Sequence, residues 1–487
     1  MTGSTRRVAA GAAWLYLQRW LDRLLEFAAI VVLARILSPA DFGLVAVAAS
    51  MVTIVEGVTA LGVEKALIRS RGDDARLYDT AWTLSVLRGL LVAAVMLAIA
   101  LALDDPRVAA IVRVLSIVPI FNGLANPMFV RFERDLIYSR LAMLTLGAKV
   151  ASVTATIAAA FAWRNAWALV AGLLINSLAS SVLSYALRPY RPRFSLARLS
   201  ELFGFTGWLT LTSAVTALSM ETDRIIVAWL LGITNAGLYD MTQRVAVMPT
   251  RELLSPFQRL LLPAFSQLID DAPRLRSAVS ESINVLASLG LPAAFGFALV
   301  AGDLVPLALG PQWQPIVGLL AVLVPFLGLR ATLSMTLPFV LALGETRMLF
   351  NVSLIYALLH VPVFTAGTAM FGLAGAVWGI VAAGVLYIYL NAWMLQRTLA
   401  IRPGEIARQL RRPVAATAVM CLGVAALAGV SGLDFMPAVA TWRSFAIKAG
   451  VGAAIFCASQ YAMWRLEGRP AGIERRLVQL ASRQAPG

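Results

Sequence analysis

The sequence predicts an all-α integral membrane protein of about fourteen transmembrane helices, built as two related six-helix bundles with a final helix pair. Three observations carry this: the balance of apolar to charged residues, the even recurrence of apolar runs, and a repeat within the chain. Of 487 residues 60% are hydrophobic and 14% charged, with a mean hydropathy of +0.79, whereas a soluble domain is nearer half apolar and a quarter charged. Apolar runs of about 20 residues, enough to cross a bilayer as a helix, recur from end to end with the charges gathered between them. A membrane β-barrel would show segments of about ten residues of alternating polarity instead.

The runs predict helices near residues 8–37, 41–68, 80–103, 107–130, 139–163, 166–188, 203–231, 235–265, 277–302, 315–340, 346–369, 372–396, 411–430 and 442–464. The first run is longer than a signal-peptide core, contains charges and lacks a small-residue cleavage site behind it, so it is expected to stay as a helix. Basic residues alternate from connection to connection. Arg69, Arg71 and Arg76 follow the second helix, Arg131 and Arg134 the fourth, Arg191, Arg193 and Arg198 the sixth, and Arg274 and Arg276 the eighth. Arg397, Arg402, Arg408, Arg411 and Arg412 follow the twelfth, and Arg465, Arg469, Arg475, Arg476 and Arg483 mark the tail. The odd-numbered connections are short and hold little beyond Arg107, beside Asp104 and Asp105, or Arg164. By the positive-inside rule both termini and all even connections are expected in the cytoplasm. The net charge of +15 and pI near 10.6 therefore call for no nucleic acid, because such arginines meet anionic membrane lipids.

Sliding the chain by 194 positions lays Trp14-Leu15-Tyr16-Leu17 on Trp208-Leu209-Thr210-Leu211, Ala34 on Ala228, Leu37 on Leu231 and Gly43-Leu44 on Gly237-Leu238. This is the signature of a duplicated six-helix unit. An even number of spans gives both copies the same orientation, so a pseudo-twofold along the membrane normal is expected. The expected divisions are 1–190 and 191–400 for the two bundles, and 401–487 for two further helices and a basic cytoplasmic tail.

Polar groups lie where the spans should be apolar. Arg19, Asp22, Arg23 and Glu26 stand at i, i+3, i+4 and i+7, one stripe of the first helix. An arginine or aspartate at the centre of a lipid-exposed helix costs roughly 2.5 to 3.5 kcal/mol, against about 0.3 to 0.6 returned by each large apolar residue. The stripe must therefore face other helices or a wet cavity, with Arg19–Asp22 and Arg23–Glu26 pairing expected to lower the cost. Glu221, Asp223 and Arg224 in the seventh helix, and Asp240, Gln243, Arg244 and Arg251 in the eighth, repeat the feature; Arg244, Arg251 and Gln258 are spaced by seven. Glu56, Arg113 and Asn122 add to the set in the second and fourth helices. Two readings stand: a hydrated cavity, or ion pairs that fix helix register.

Pro249, Pro256 and Pro263 in the eighth helix, and Pro119 and Pro127 in the fourth, are candidate bending points of a gate, or static kinks. Gly372, Gly375 and Gly379 are expected to let helices approach closely. Cys421 and Cys457 fall in apolar runs and read as small buried side chains, with neither a disulfide framework nor a metal site. The single histidine, His360, reads as packing or a helix–helix hydrogen bond, with proton relay as the alternative. No convergent catalytic or metal-ligating set is evident, so neither an enzyme nor a cofactor is expected. Duplicated halves with buried arginines fit a transporter of an anion, because guanidinium offers a planar donor array to phosphate.

The segment ARILSPADFGLVAVAASMVTIVEGVTALGVEKALIRS, starting at Ala34, resembles the helix 1 to 2 region of Wzx-type polysaccharide flippases. PTRELLSPFQRLLLPAFSQL, Pro249 to Leu268, is similar to their helix 8 exit. These flippases belong to the multidrug/oligosaccharidyl-lipid/polysaccharide exporter superfamily, and the likeness is nearest to exporters of the colanic-acid and teichuronic-acid type. The resemblance implies a bacterial inner-membrane protein that moves undecaprenyl-diphosphate-linked oligosaccharide to the periplasmic leaflet by alternating access. Its product would feed O-antigen, capsule or exopolysaccharide assembly, with polysaccharide polymerase machinery as a partner and a proton or Na+ as the coupling ion. In that scheme Arg19, Arg23, Arg244 and Arg251 bind the diphosphate, and Asp22, Glu26, Glu56, Glu221, Asp223 and Arg224 tune charge or couple the ion. A lipid II flippase and a cation-coupled multidrug exporter of the same superfamily are the alternatives.

Overall fold

The computed structural model describes residues 3–60, 62–63, 67, 75–134, 137–199, 207–431 and 440–468. Arg69, Arg71, Arg469, Arg475, Arg476 and Arg483 lie outside the described residues, as do the side chains of Trp208, Leu209 and Thr210. The helices are α1 (Gly3–Ile36), α2 (Pro39–Val58), α3 (Ala75–Leu101), α4 (Pro106–Leu115), α5 (Val118–Leu124), α6 (Val130–Arg134), α7 (Tyr138–Trp163) and α8 (Trp167–Leu187). They continue as α9 (Gly207–Leu231), α10 (Ile233–Ser266), α11 (Ala272–Ala308), α12 (Ile316–Ala331), α13 (Thr336–Ala342), α14 (Thr346–Leu399), α15 (Pro403–Ser431) and α16 (Trp442–Leu466). Among the described residues ten helices are long and apolar enough to cross a membrane. The long helices outside that set, α1, α9 and α10, carry the charged stripes at residues 19–26, 221–224 and 240–251. With those three included, and α14 counted as two crossings, the described residues form an all-α, multi-pass membrane protein of fourteen crossings.

Two compact units divide the chain, residues 1–240 and 241–487. In the first, Ser38 starts α2 with a reciprocal cap: its hydroxyl accepts from the Asp41 backbone, and the Asp41 carboxylate accepts from the Ser38 backbone at 2.9 Å. Pro39 at the first turn needs no intrahelical partner there. The joint between α1 and α2 is therefore fixed within two residues. Its counterpart between α9 and α10 turns on Gly232, at φ +86°.

These two joints pack on each other. A Cβ at Gly43 would lie 2.0 Å from the Ile233 carbonyl oxygen, and one at Gly237 would lie 1.8 Å from the Pro39 carbonyl oxygen. The 194-residue shift carries Gly43 onto Gly237 and Pro39 onto Ile233, so the two contacts are the same contact made twice. Reciprocity of this kind, i touching j and j touching i, is what a local twofold passing between the segments produces. Small side chains at both positions let the backbones meet.

Helix breaks interrupt two of the spans. The fourth crossing is interrupted at Ser116 and Ile117, between α4 and α5, and the tenth at 332–335, between α12 and α13. Hydroxyls take the freed carbonyls: Ser116 bonds Arg113, Thr332 bonds Leu329, Ser334 bonds Ala331 and Thr336 bonds Leu333, at 2.6–2.8 Å. Irregular backbone at membrane depth is tolerated when so satisfied. Pro119 and Pro127 stand in the first turns of new helical segments rather than bending a continuous helix. α10 in contrast runs helical through Pro249, Pro256 and Pro263.

In unit 2, α14 would be about 80 Å long if straight, far beyond the roughly 30 Å hydrocarbon core. It bends at Gly372, with φ 62° and ψ −144°, and so forms the two spans expected from sequence. Gly375 meets Gly367 beyond the bend, where an added Cβ would lie 1.8 Å from the Gly367 oxygen, and Gly379 meets Phe364. The close approach expected of this glycine cluster thus holds at Gly375 and Gly379, while Gly372 makes the turn. Open space surrounds the Gly372 Cβ position, so Gly372→Ala is expected to cost about 1–3 kcal/mol through backbone strain alone, read as a lowered thermal midpoint of the purified protein.

Ion pairs tie one end of unit 2. Arg276 at the start of α11 bonds Glu405 at 2.7 Å and the Ala400 carbonyl that ends α14, while Arg411 and Arg412 of α15 both reach Glu467 past the end of α16. Three arginines of the even connections in this half, Arg276, Arg411 and Arg412, are thus held by two carboxylates. In unit 1 the segment after α8 is stitched along α3: Tyr190 donates to Asp79, the Ser195 amide to Thr83, and the Arg198 amide to Thr80. Burial, then the adjoining Asp79 carboxylate, push the Tyr190 phenol above its usual range and keep it a donor. Among the odd connections, Arg107 lies 2.9 Å from Asp105, and its hydrogen bonds hold that carboxyl below the ordinary range. Cys457 is exposed and Cys421 half-buried, so the sequence expectation of buried thiols is corrected; both are free.

Candidate functional site

Among the described residues, the polar side chains of the long helices include three groups in unit 1 and two in unit 2 that hold charged residues. On α1, Arg23 Nη1 lies 2.6 Å from Glu26 Oε2, each side chain about one-third exposed. Gln18 donates to Thr145 of α7 at 2.6 Å, and Asp22 has Lys149 of α7 and Arg23 as its positive neighbours. α1 packs along α7, so part of the stripe faces protein as its cost requires, and Lys149 is a counter-charge that the stripe alone did not reveal. Arg19 is half-buried and engaged within the protein.

The second group joins α2, α9 and the start of α10. Arg224 Nε lies 2.7 Å from Asp240, which is 1% exposed, and its Nη1 lies 2.6 Å from Glu221. Ser50 of α2 donates to the same Glu221 carboxylate at 2.7 Å, and Tyr239 donates to buried Asp223 at 3.0 Å. This group sits beside the reciprocal glycine contact. One guanidinium shared by two carboxylates with added hydroxyl donors is a satisfied network that holds three helices in register.

The third group is centred on Glu56. Asn122 of α5 donates to its carboxylate at 3.2 Å, Ser177 of α8 donates to Asn122 at 2.5 Å, and Arg88 of α3 bonds the Glu56 carbonyl at 2.9 Å. Glu56 and Asn122, noted separately in the sequence, are thus brought together. Arg113 is exposed at the end of α4.

In unit 2, Arg244 and Arg251 are exposed on α10, and Gln258, seven residues on, donates to Ser334 in the break between α12 and α13 at 2.7 Å. Close to that break Arg330 packs its guanidinium over the rings of Tyr387 at 4.5 Å and Tyr356 at 5.6 Å. Buried His360 stacks on Tyr356, whose hydroxyl lies 3.3 Å from His360 Nδ1. That bond joins neighbouring turns of one helix rather than two helices. The other group is an ion pair that no spacing along the chain announces: Lys448 of α16 to Asp303 of α11 at 2.8 Å, side chains 1% and 0% exposed, with Ser444 donating to the same oxygen at 3.1 Å. Among the described residues no cluster of His, Cys, Asp and Glu could hold a metal ion.

With this geometry, the chain matches the family described as "Polysaccharide biosynthesis protein" over residues 32–318, more than half its length. It is 25% identical over 397 residues to the lipopolysaccharide biosynthesis protein WzxC of Escherichia coli K12, covering 80% of this chain and 81% of that one. It is 28% identical over 388 residues to the succinoglycan biosynthesis transport protein ExoT of Rhizobium meliloti 1021, covering 76% and 75%. In fold it is similar to the lipid II flippase MurJ in an inward closed conformation, with TM-score 0.72, 12% identity, and 92% and 98% of the two chains covered. An inward-facing multidrug transporter of the MATE family gives TM-score 0.59, 17% identity, and 78% and 94% coverage. The chain belongs to the polysaccharide biosynthesis protein family.

Proposed function

We propose that this protein is a flippase of the bacterial inner membrane, with both termini cytoplasmic. It moves undecaprenyl-diphosphate-linked oligosaccharide to the periplasmic leaflet by alternating access, for O-antigen, capsule or exopolysaccharide assembly alongside polysaccharide polymerase machinery. The observation that carries this reading is a polysaccharide-biosynthesis family match in a chain that keeps arginines on helices at membrane depth. Guanidinium groups there favour a diphosphate over a cationic drug. The diphosphate is held by arginines drawn from Arg19, Arg23, Arg244 and Arg251. Asp22, Glu26 and Glu56 tune those charges or carry a coupling proton or Na+, while Glu221, Asp223 and Arg224 supply a joint. Pro249, Pro256 and Pro263 weaken the α10 backbone bonding where bending is needed.

Deletion followed by analysis of polyprenyl-linked glycans tests the reading. A lipid-linked polysaccharide repeat should accumulate inside while surface polysaccharide is lost. Lethality with accumulation of the peptidoglycan precursor would favour the lipid II alternative, and sensitivity to cationic dyes would favour drug export. The combined change Arg19→Ala, Arg23→Ala should lower export at least tenfold at unchanged protein level; normal export by that stable variant would remove these two residues from the binding site.

A further inference from the structure

Arg330 stands near the middle of a 27-residue span, Ile316–Ala342, about 20 Å along the helix from its start. Two half-buried arginines of the other unit have acceptors: Arg88 bonds Glu56 and Thr59, and Arg224 lies between two carboxylates. Arg330 differs. Its contacts among the described residues are the two tyrosine rings, with no carboxylate and no hydrogen-bond acceptor. Cation–π contact offsets part of the cost of a charge at this depth and fixes the plane of the guanidinium, but it occupies the face of that group and leaves the in-plane N–H donors free.

A role confined to the helix end does not account for this geometry. Arg330 lies in the last turn of α12, where a cation would bond the freed carbonyls, yet the carbonyls of Leu329, Ala331 and Leu333 accept from Thr332, Ser334 and Thr336. Tyr356 and Tyr387 also contact each other edge to face, with ring centroids 5.2 Å apart, and His360 stacks behind Tyr356. The aromatic frame is braced independently of any ligand. Gln258 reaches Ser334 from α10, adding a polar amide next to the same break.

We propose that Arg330, framed by Tyr356 and Tyr387, is a subsite for an oxyanion of the transported molecule, distinct from the four arginines assigned above. Its donor fork suits a carboxylate or phosphate oxygens, which are the acidic groups of a sugar repeat or of the lipid diphosphate. The proposal rests on the flippase reading for the origin of the anion, not for the existence of the site.

The test is binding to the full chain in lipid nanodiscs, with three probes: geranyl diphosphate, a hyaluronan tetrasaccharide as the carboxylate, and cellotetraose as the neutral control. Arg330→Gln should weaken at least one anionic probe tenfold or more and leave the neutral probe unmoved. Arg330→Lys, which keeps the charge but loses the fork, should fall between, and Tyr387→Leu should weaken the same probe. Loss confined to the tetrasaccharide assigns the site to an acidic sugar, loss confined to the diphosphate assigns it to the lipid, and loss of both assigns a general oxyanion site. The proposal is overturned if the parent protein binds neither anion, if Arg330→Gln binds both within twofold of the parent, or if it weakens the neutral probe equally. Accumulation of lipid-linked glycan in the deletion strain, with anion binding indifferent to Arg330, would retain the flippase reading and discard the subsite; the reverse pair of results would do the opposite.

Discussion

Gly237→Ala is expected to lower the stability of the purified protein by at least the 1–3 kcal/mol typical of overpacking, and Gly43→Ala to do the same. The added methyl at Gly237 would overlap the Pro39 carbonyl oxygen at 1.8 Å, and at Gly43 the Ile233 oxygen at 2.0 Å. Both obstacles are backbone atoms at helix starts. One is fixed by the Ser38–Asp41 cap, so relief requires α2 and α10 to separate rather than a side chain to rotate. Separation would also disturb the Ser50–Glu221 and Arg224–Asp240 contacts next to it. The control is Gly404→Ala or Gly450→Ala, where the new atom meets nothing within 4 Å and helix propensity favours alanine by up to about 1 kcal/mol. Thermal or detergent-denaturation midpoints decide the matter: equal losses at all four positions would show that crowding at the reciprocal contact is not the cause.

The glycine pair also marks how far the sequence alone could be read. Gly43 and Gly237 match under the 194-residue shift, which identifies them as equivalent. Nothing in that match says that equivalents touch, because only residues next to a twofold do so. The α1 stripe was legible because four ionisable groups in eight residues exceed what a lipid-facing helix tolerates, and the two crossings of α14 were legible from the length of its apolar run. The second helix was expected to run to residue 68, whereas α2 ends at Val58 and the chain passes through Gly62 at φ +61°. Apolar content marks membrane-compatible sequence but not the residue at which a helix stops.

Single charges are harder to read than stripes. Arg330, Asp303 and Lys448 each stand in a long apolar run, and Asp303 and Lys448 are 145 residues apart, beyond any periodicity. A usable signal was present: an isolated acid and an isolated base in separate spans each need a partner. It does not say which acid meets which base. Packing supplies that answer, since α16 lies on α11 and places Lys448 opposite Asp303, with Ser444 one turn away to share the carboxylate.

Lys448→Met is accordingly expected to cost about 3–5 kcal/mol, the usual effect of removing one member of a buried ion pair. The remaining Asp303 is 0% exposed, and its Oδ1 already lacks a hydrogen-bond partner among the described residues. With Lys448 gone, the carboxylate keeps one hydroxyl donor, Ser444, at 3.1 Å. Its charge must then be neutralised by proton uptake, or α16 must leave α11. If the loss arises from the orphaned charge, adding Asp303→Leu to Lys448→Met should restore most of the stability, because an apolar pair of similar volume needs no compensation. Stability measured by detergent or thermal denaturation separates the cases: a double variant as weak as the single one would mean that Lys448 acts through the packing of its long side chain rather than its charge. Recovery of stability without recovery of export would extend the role of the pair to transport. It would mean that the pair is held at this joint for transport, whereas recovery of both would make Asp303 and Lys448 an interchangeable fastening of the last helix to its unit.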